Sequence, residues 1–220
     1  MTGRREFITG TGVVAIVSLA GCADARELAT DEEIERSADP SEPDDRTVDE
    51  TGYEQVRSET VVIEEEFDVA GQHREFTANT EVRAYLNELE VELDGDAQSV
   101  FAVVSTPGVS AAGQQLSPLA RMDETELIEE ARGELSTEIA GEIRDPRKIE
   151  EIEHSIYGGT VDVSVYESTL LFDDGRELDG YVHVAIVERG DDVVLVTGVY
   201  PAAVADEERA NMRALFESLD

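Results

Sequence analysis

The chain contains one cysteine, Cys22, at the end of an apolar run. A thiol can pair in a disulfide, bind a metal, act as a nucleophile or accept a lipid. A single cysteine excludes an intramolecular disulfide and a cysteine-based metal site. Leu19, Ala20 and Gly21 precede it, and small residues at these positions let a peptidase approach the backbone. We therefore predict that Cys22 is a lipidation site and not an incidental cysteine of a signal peptide.

The segment before this cysteine has the features of an export signal. Arg4 and Arg5 give it a positive start, and the run that begins at Phe7 is mostly small or apolar. As a helix rising about 1.5 Å per residue, the run would be about 22 Å long, short of a hydrocarbon core of about 30 Å. We therefore interpret residues 1 to 22 as a processed signal peptide. The arginine pair resembles a twin-arginine translocation signal, and residues 19 to 22 resemble a lipobox.

Three histidines, His73, His154 and His183, could supply acid–base or metal chemistry. They fall in separate predicted elements, and none has the paired spacing of a zinc-binding helix. His183 stands between Val182 and Val184 in an apolar strand, so its ring should face away from theirs. A structural histidine is the favoured interpretation. We predict no catalytic residue among the three.

Acidic pairs and triplets could bind a cation such as calcium. They occur at residues 64 to 66, at Asp173 with Asp174 and at Asp191 with Asp192. None has the spaced acidic loop that ends in glutamate, and Asp-Asp-Gly between strands is ordinary turn chemistry. Because such clusters also arise by composition in so acidic a chain, we predict no metal site and no cofactor.

Serines near one long loop leave an alternative open. Ser105, Ser110 and Ser117 lie in or beside residues 107 to 122, a stretch longer than most loops. Catalytic triads assemble in space, so a distant histidine does not exclude a hydrolase with its active site near this loop. The interpretation we favour is a surface crossing that packs its leucines against the sheet. The sequence has no glycine-rich phosphate loop, nucleophile elbow or dinucleotide fingerprint.

The composition is strongly acidic, with 52 acidic and 17 basic residues and a formal net charge of -35. Such a charge repels polyanions, so nucleic acid and anionic lipid headgroups are poor partners. Disorder is disfavoured because 40% of the residues are hydrophobic and many alternate as in strands. At multimolar salt the Debye length falls to about 3 Å or less, so the carboxylates are screened. The composition therefore favours a folded protein of an extreme halophile.

The chain divides into three predicted parts. Residues 1 to 22 form the signal peptide, residues 23 to 51 an acidic flexible tether, and residues 52 to 220 a single domain. The tether contains Pro40 and Pro43 and few large apolar residues. A flexible chain of this length spans about 30 Å root-mean-square. The domain can therefore stand clear of a membrane surface.

Alternating and apolar patterns predict the elements of this domain. Two strands are expected to join near Gly71, and a helix is predicted over residues 123 to 139. Buried or alternating strands are predicted over four further stretches, at residues 99 to 106, 161 to 165, 182 to 186 and 193 to 199.

A final helix, capped by Asp206, should present one apolar stripe made of Met212, Leu215, Phe216 and Leu219. Tight turns between adjacent strands, such as the hairpin turn expected at residues 189 to 192, favour antiparallel pairing. The predicted fold class is therefore α+β, an antiparallel β-sheet of about six or seven strands with two helices packed on it.

Four segments carry a resemblance to a known family: "TGYEQVRSE", "FDVAGQHREF", "VFAVVSTPGVSAAGQQLSP" and "VTGVYP". They resemble a haloarchaeal twin-arginine-exported lipoprotein family of unassigned function. More loosely, the layout is similar to the fold of the PsbP and Mog1 group, whose members are mostly binding or assembly factors. The second resemblance concerns the fold alone.

The sequence therefore predicts a lipid-anchored protein at the extracytoplasmic face of the cell membrane. The membrane is its expected partner through the lipid on Cys22, and nucleic acid is not. A noncatalytic binding or assembly module is the favoured role, with the surface hydrolase as the alternative.

Overall fold

The computed structural model describes seven stretches of the chain, residues 34–69, 72–89, 97–108, 110–111, 114–115, 142–172 and 175–220. The described strands are β1 Ile34–Ser37, β2 Glu54–Val69, β3 Gln72–Leu89, β4 Ala97–Pro107, β5 Ser110–Ala111, β6 Gln114–Gln115, β7 Glu142–Ile156, β8 Gly159–Leu171, β9 Glu177–Arg189 and β10 Asp192–Pro201. The described helices are α1 Asp45–Thr51 and α2 Ala205–Glu217, the latter preceded by a 3-10 turn at Ala202–Val204. The helix predicted over residues 123 to 139 lies outside the described residues.

Eight of the described strands form one mixed sheet. Seven of them follow the order β1-β3-β4-β10-β9-β8-β7, and the eighth, β2, also pairs with β3. All these pairs are antiparallel except β1 with β3, which is parallel. Among the described residues, the short strands β5 and β6 pair with each other and with no other strand. The β9–β10 hairpin turns at Gly190, where Arg189 pairs with Asp192, as the sequence predicted.

The predicted fold class is wrong in its sheet, because the sheet is mixed and has eight strands instead of six or seven antiparallel ones. Two strands carry the difference. Strand β1 is four residues long and polar, so it shows no alternating pattern. Strand β7 lies at an edge with most of its side chains exposed. An edge strand needs only sparse apolar residues, so its sequence reads as a polar connection.

Strand β7 is also irregular in ways that suit an edge. Asp145 has a φ of 49° and Pro146 follows it, and the pairing register with β8 shifts twice between Arg144 and Glu150. Proline, bulges and charges are the devices that prevent edge-to-edge association of sheets. The strand is therefore adapted to have no partner on its outer side.

Strand β10 lies at the centre of the sheet, and residues 193 to 200 are all buried. Its alternate side chains contribute to two apolar cores, one on each face. This confirms the prediction of a strand covered on both faces. One face, here called the helix face, packs against α2 through a core that includes Phe101, Val194, Val196, Met212, Leu215 and Phe216.

Helix α2 lies close to the sheet because β10 has a glycine beneath it. A Cβ added at Gly198 would overlap the side chain of Met212, which is fully buried. The Phe216 ring meets Phe101 edge to face, with 5.4 Å between ring centroids. The predicted stripe is confirmed, since Met212, Leu215, Phe216 and Leu219 are all buried. The predicted cap is wrong, because Val204 occupies the N-cap position and Asp206 lies in the first turn.

Residues 34 to 51, predicted as part of the flexible tether, contain β1 and α1. Asp44 caps α1 by accepting hydrogen bonds from the Thr47 backbone and hydroxyl, and these bonds lower the pKa of its carboxyl. Ser41 is buried, and its hydroxyl is hydrogen-bonded to Tyr157. Two backbone hydrogen bonds then tie this segment to the residues after α2, Asp44 N to Ser218 O at 3.1 Å and Asp220 N to Glu42 O at 3.1 Å. The acid-rich composition of this segment led to the prediction of a flexible tether, so β1 and α1 were not predicted.

We predict that Gly198→Ala destabilises the domain by about 1 to 3 kcal/mol, because the added methyl group overpacks the α2 contact with Met212. Thermal unfolding in multimolar KCl measures the loss. Gly159→Ala is the matched control, since a Cβ there would lie 3.6 Å from Ile156 O, an ordinary contact. Equal stabilities of the two variants would contradict the close approach of α2.

Candidate functional site

A row of polar side chains crosses one end of the helix face. Asn87 of β3 pairs with Ser99 of β4, Tyr200 of β10 pairs with Tyr181 of β9, and Tyr181 pairs with Glu167 of β8. Val199 of β10 pairs with Val100 of β4, so the next residue of β10, Tyr200, lies opposite Ser99. Directly opposite residues of antiparallel strands share a face of the sheet. These five residues, Asn87, Ser99, Tyr200, Tyr181 and Glu167, are called the polar row below.

The first turn of α2 places a buried carboxylate over one end of the polar row. Glu208 is 1% exposed, and it is the only acidic side chain that is buried among those whose burial is described. It accepts hydrogen bonds from the Tyr53 hydroxyl at 2.6 Å, from Asn211 Nδ2 at 2.8 Å and from Asn87 Nδ2 at 3.2 Å. Three neutral donors therefore replace the water that the carboxylate loses.

The position of Glu208 in α2 adds to this stabilisation. It lies in the first turn, where the unpaired backbone N–H groups make the environment of an anion favourable. Burial and the neighbouring Glu208 charge raise the pKa of Tyr53 well above its usual value. The Tyr53 hydroxyl therefore stays protonated and donates to the carboxylate. The cluster holds together α2, strand β3 and Tyr53, which lies two residues after the end of α1.

His183 and Tyr200 form a second buried contact on the same face. His183 Nε2 lies 2.8 Å from the Tyr200 hydroxyl, and the two rings are 5.4 Å apart. His183 is 2% exposed, and burial, followed by the charges of Arg209 and His154, lowers its pKa to about 3. Burial also raises the pKa of Tyr200. Both groups are therefore neutral near neutral pH, and His183 is a poor proton acceptor there.

Arg209 of α2 lies beside the contact between His183 and Tyr200. Its guanidinium lies 5.3 Å from the centroid of the Tyr181 ring, a cation–π geometry, and Nη1 is 3.5 Å from Glu150 Oε2 on β7. A hydrogen bond to Tyr200 acts with its charge to lower the pKa of that hydroxyl, against the larger effect of burial. The helix therefore reaches from β3 to β7 through polar side chains.

The histidines predicted as structural fall in different places. His183 faces away from Val182 and Val184, which confirms the predicted orientation. His154 is 6% exposed, and its Nδ1 lies 3.6 Å from Glu217 Oε1, too far for a hydrogen bond. Burial lowers the pKa of His154, although Glu217 opposes this effect. His73 pairs with Asp68 in the β2–β3 hairpin, and its side chain lies outside the described part.

The serines of the alternative reading are not brought to a histidine in the part of the chain that the structure describes. Ser105 is buried in β4, and its hydroxyl has no hydrogen-bond partner there. Ser110 lies in β5, and Ser117 lies outside the described residues, as does most of the stretch from 107 to 122. The other residues on which the hydrolase alternative depends lie outside the described stretches.

The acidic clusters are similarly dispersed. Asp192 accepts a hydrogen bond from Asp39 N at 2.8 Å, and burial raises the pKa of its carboxyl. Asp191 and Glu64 are exposed, and Asp173 with Asp174 lies outside the described residues. Within residues 34 to 220, so far as they are described, no three His, Cys, Asp or Glu side chains have an arrangement that could hold a metal ion.

The predicted signal and lipidation residues also fall outside the described stretches. They are Arg4, Arg5, Phe7, Leu19, Ala20, Gly21 and Cys22. Neither α1 nor α2, the helices in the described part, has the length and apolar composition required to cross a membrane.

A small groove opens beside the buried carboxylate cluster. It encloses about 200 Å³ and is lined by Gly52, Glu54, Val56, Leu86, Asn87 and Glu88. Asn87 connects the two, because the residue that lines the groove also donates to Glu208. The volume is below the roughly 300 to 1,000 Å³ of pockets that bind drug-sized ligands. The groove is therefore large enough only for a small group or for part of a larger partner.

Sequence reasoning missed Glu208, although a signal for it was present. Glu208 precedes Met212 by four positions and Leu215 by seven, so it lies on the apolar stripe of α2. A carboxylate on the buried stripe of a helix is unusual and requires hydrogen-bond donors. Two of the three donors, Tyr53 and Asn87, are more than 100 residues away in sequence, so the stripe alone does not identify them.

The described fold is a mixed β-sheet with helices on one face and a buried polar cluster under one of them. The profile of a family described as a domain of unknown function, DUF6517, matches residues 40–220. The chain belongs to this family. No curated protein matches it.

One solved structure that the comparison matches is PA94, a protein of unknown function from Pseudomonas aeruginosa that is described as a candidate regulator. It is 13% identical, and the match covers 67% of this chain and 90% of that chain with a TM-score of 0.28. A likeness at this level supports no argument about function.

We predict that Glu208→Ala lowers the free energy of unfolding by at least about 2 kcal/mol, because three donors would lose their acceptor and each costs about 1 to 3 kcal/mol when buried and unpaired. Denaturant or thermal unfolding at fixed high salt measures the change. Glu207→Ala is the matched control, since Glu207 lies in the same turn and is exposed. Its effect should stay within about 0.5 kcal/mol. Similar losses in both variants would show that the buried carboxylate does not hold α2.

Proposed function

We propose that the chain is a lipid-anchored protein at the extracytoplasmic face of a haloarchaeal cell membrane, where its domain is a noncatalytic binding or assembly module. The observation that carries the proposal is the sole cysteine directly after Leu19, Ala20 and Gly21 at the end of an apolar run. One acyl chain binds a membrane only marginally, so stable attachment requires a two-chain lipid on Cys22. The arginine pair before the run supports export of the folded domain by the twin-arginine route.

The distribution of charge supports a high-salt medium. The net charge is -35, yet Glu208 alone among the acidic side chains of described burial is inside. The remaining described carboxylates lie at or near the surface, where salt screens their mutual repulsion. This arrangement keeps an apolar core of ordinary composition beneath an acidic surface.

The use of the polar side chains supports a noncatalytic role. Glu208 is saturated by three neutral donors, and His183 is neutral and buried beneath α2. Both groups hold elements of the fold together. The small groove beside Asn87 and the surface around it are more suited to contact a partner than to enclose a substrate.

The anchor also limits how far the domain stands from the membrane. Ile34, where the described fold begins, lies twelve residue steps after Cys22. A fully extended chain of this length reaches about 40 Å at most. A partner within that distance of the lipid surface is therefore accessible to the domain.

We predict that Cys22→Ala moves the protein from the membrane fraction to the medium, because the lipid is its only proposed attachment. Fractionation in multimolar salt and intact-mass analysis of the mature N-terminus measure this. Ser105→Ala is the control, since it leaves the cysteine intact and should stay in the membrane fraction with the lipid mass. An unmodified native N-terminus, or membrane retention of Cys22→Ala, would overturn the anchor.

The binding role predicts a partner that depends on the domain. Chemical cross-linking in intact cells should give a discrete adduct with the full chain, while a variant that keeps residues 1 to 39 and lacks 40 to 220 should give none. Mass spectrometry of the adduct identifies the partner. Adducts identical in the two strains, or none in either, would count against the proposal.

A further inference from the structure

We propose that α2 is an acid-sensitive element: protonation of the buried His183 ring detaches α2 from the sheet and opens the helix face. The inference does not depend on the anchor or on a partner. It rests on where two histidines lie beneath one helix. His183 of β9 and His154 of β7 both contact the Phe216 ring of α2, with ring centroids 6.5 Å and 5.7 Å away.

The surroundings of His183 accommodate only its neutral form. The Tyr200 hydroxyl lies 2.8 Å from Nε2, whereas Nδ1 is buried and has no hydrogen-bond partner in the described part of the chain. A protonated ring is a donor at both nitrogens. Protonation would therefore leave an N–H group buried without an acceptor, which is costly.

The charged groups that face His183 do not compensate for a positive charge on its ring. Arg209 from α2 is positive, so it would repel a charged His183 ring. A protonated His154 from β7 would repel that ring as well. Tyr200 from β10 is neutral. The nearby carboxylates have other partners, since Glu150 pairs with Arg209 and Glu217 lies beside His154 and Arg213. Strand β8 contributes the apolar Val165, which pairs with His183.

The element that must move is identified by how each neighbour is held. Strands β9 and β10 are paired on both sides within the sheet. Helix α2 covers the ring from above and is held to the sheet by side-chain packing and the Glu208 cluster. Detaching α2 hydrates His183 without breaking a strand pair. Local opening of this kind costs less than global unfolding.

The sign of the pH dependence follows from proton linkage. The pKa of His183 is about 3 when α2 is docked, against a reference value of 6.5. Between these values the detached state binds one more proton, so docking weakens as the pH falls. The equilibrium constant for opening should rise by about tenfold per pH unit below the reference value. Above the reference value this group gives no pH dependence.

Hydrogen exchange of the full chain in multimolar KCl tests the proposal, from about pH 7 to about pH 4, with rates corrected for intrinsic exchange. Below the reference pKa, the opening constant of α2 amides should rise about tenfold per pH unit while β10 amides stay protected. His183→Gln should remove most of this slope, and His154→Gln should retain most of it, because Glu217 partly offsets a charge on His154. Equal slopes in the native chain and His183→Gln, or joint loss of protection in α2 and β10, would overturn the proposal.

A second measurement applies if His183→Gln does not fold. NMR of the native chain follows the His183 ring directly through its ring carbon and nitrogen shifts. The loss of α2 protection should track the charging of this ring. A His183 ring that becomes charged while α2 stays protected, or α2 that opens while the ring stays neutral, would exclude the mechanism.

Discussion

The buried Glu208 carboxylate constrains the rest of this fold, because a charge taken out of water must be fully hydrogen-bonded where it lies. Its three donors come from Tyr53, Asn87 and Asn211, so their placement requires three separated segments to be in position together. Apolar packing between α2 and the sheet would tolerate small shifts along the helix axis. The carboxylate does not, and it therefore fixes where α2 begins over the polar row.

A large surface charge and a stable core coexist because they occupy different parts of the molecule. Except for Glu208, the acidic side chains of described burial lie at or near the surface, while β10 has nine successive buried residues, 193 to 201, at the centre of the sheet. Salt can screen the outer charges and does not reach the inner one. High salt therefore relieves the repulsion that opposes folding without weakening the hydrogen bonds of Glu208. The stability of the domain therefore depends on salt, whereas the hydrogen bonds that position α2 through Glu208 do not.

Sequence patterns predicted those elements whose burial is visible in the order of their own apolar and polar residues. The apolar run of β10, the turn at Gly190 and the stripe of α2 are local signals, and the structure confirms them. The patterns failed where burial depends on a distant partner. Strand β1 is defined by its parallel pairing with residues 76 to 79 of β3, and α1 by contacts with the residues after α2. The donors to Glu208 are missed for the same reason, since Tyr53 and Asn87 are ordinary in their own segments.

These long-range contacts place both ends of the described fold together on the helix face. The segment before α1 bonds to the residues after α2, and Tyr53 at the end of α1 bonds to Glu208 at the start of α2. A change in the position of α2 therefore alters the contacts of the segment that leads back toward Cys22. The contact between Phe216 of α2 and the His183 ring is the one that protonation weakens, whereas Glu208 of α2 accepts hydrogen bonds from the neutral donors Tyr53 and Asn87. The helix thus combines one contact that acid weakens with another that links it to the N-terminal segment, and the coupling runs through α2 itself.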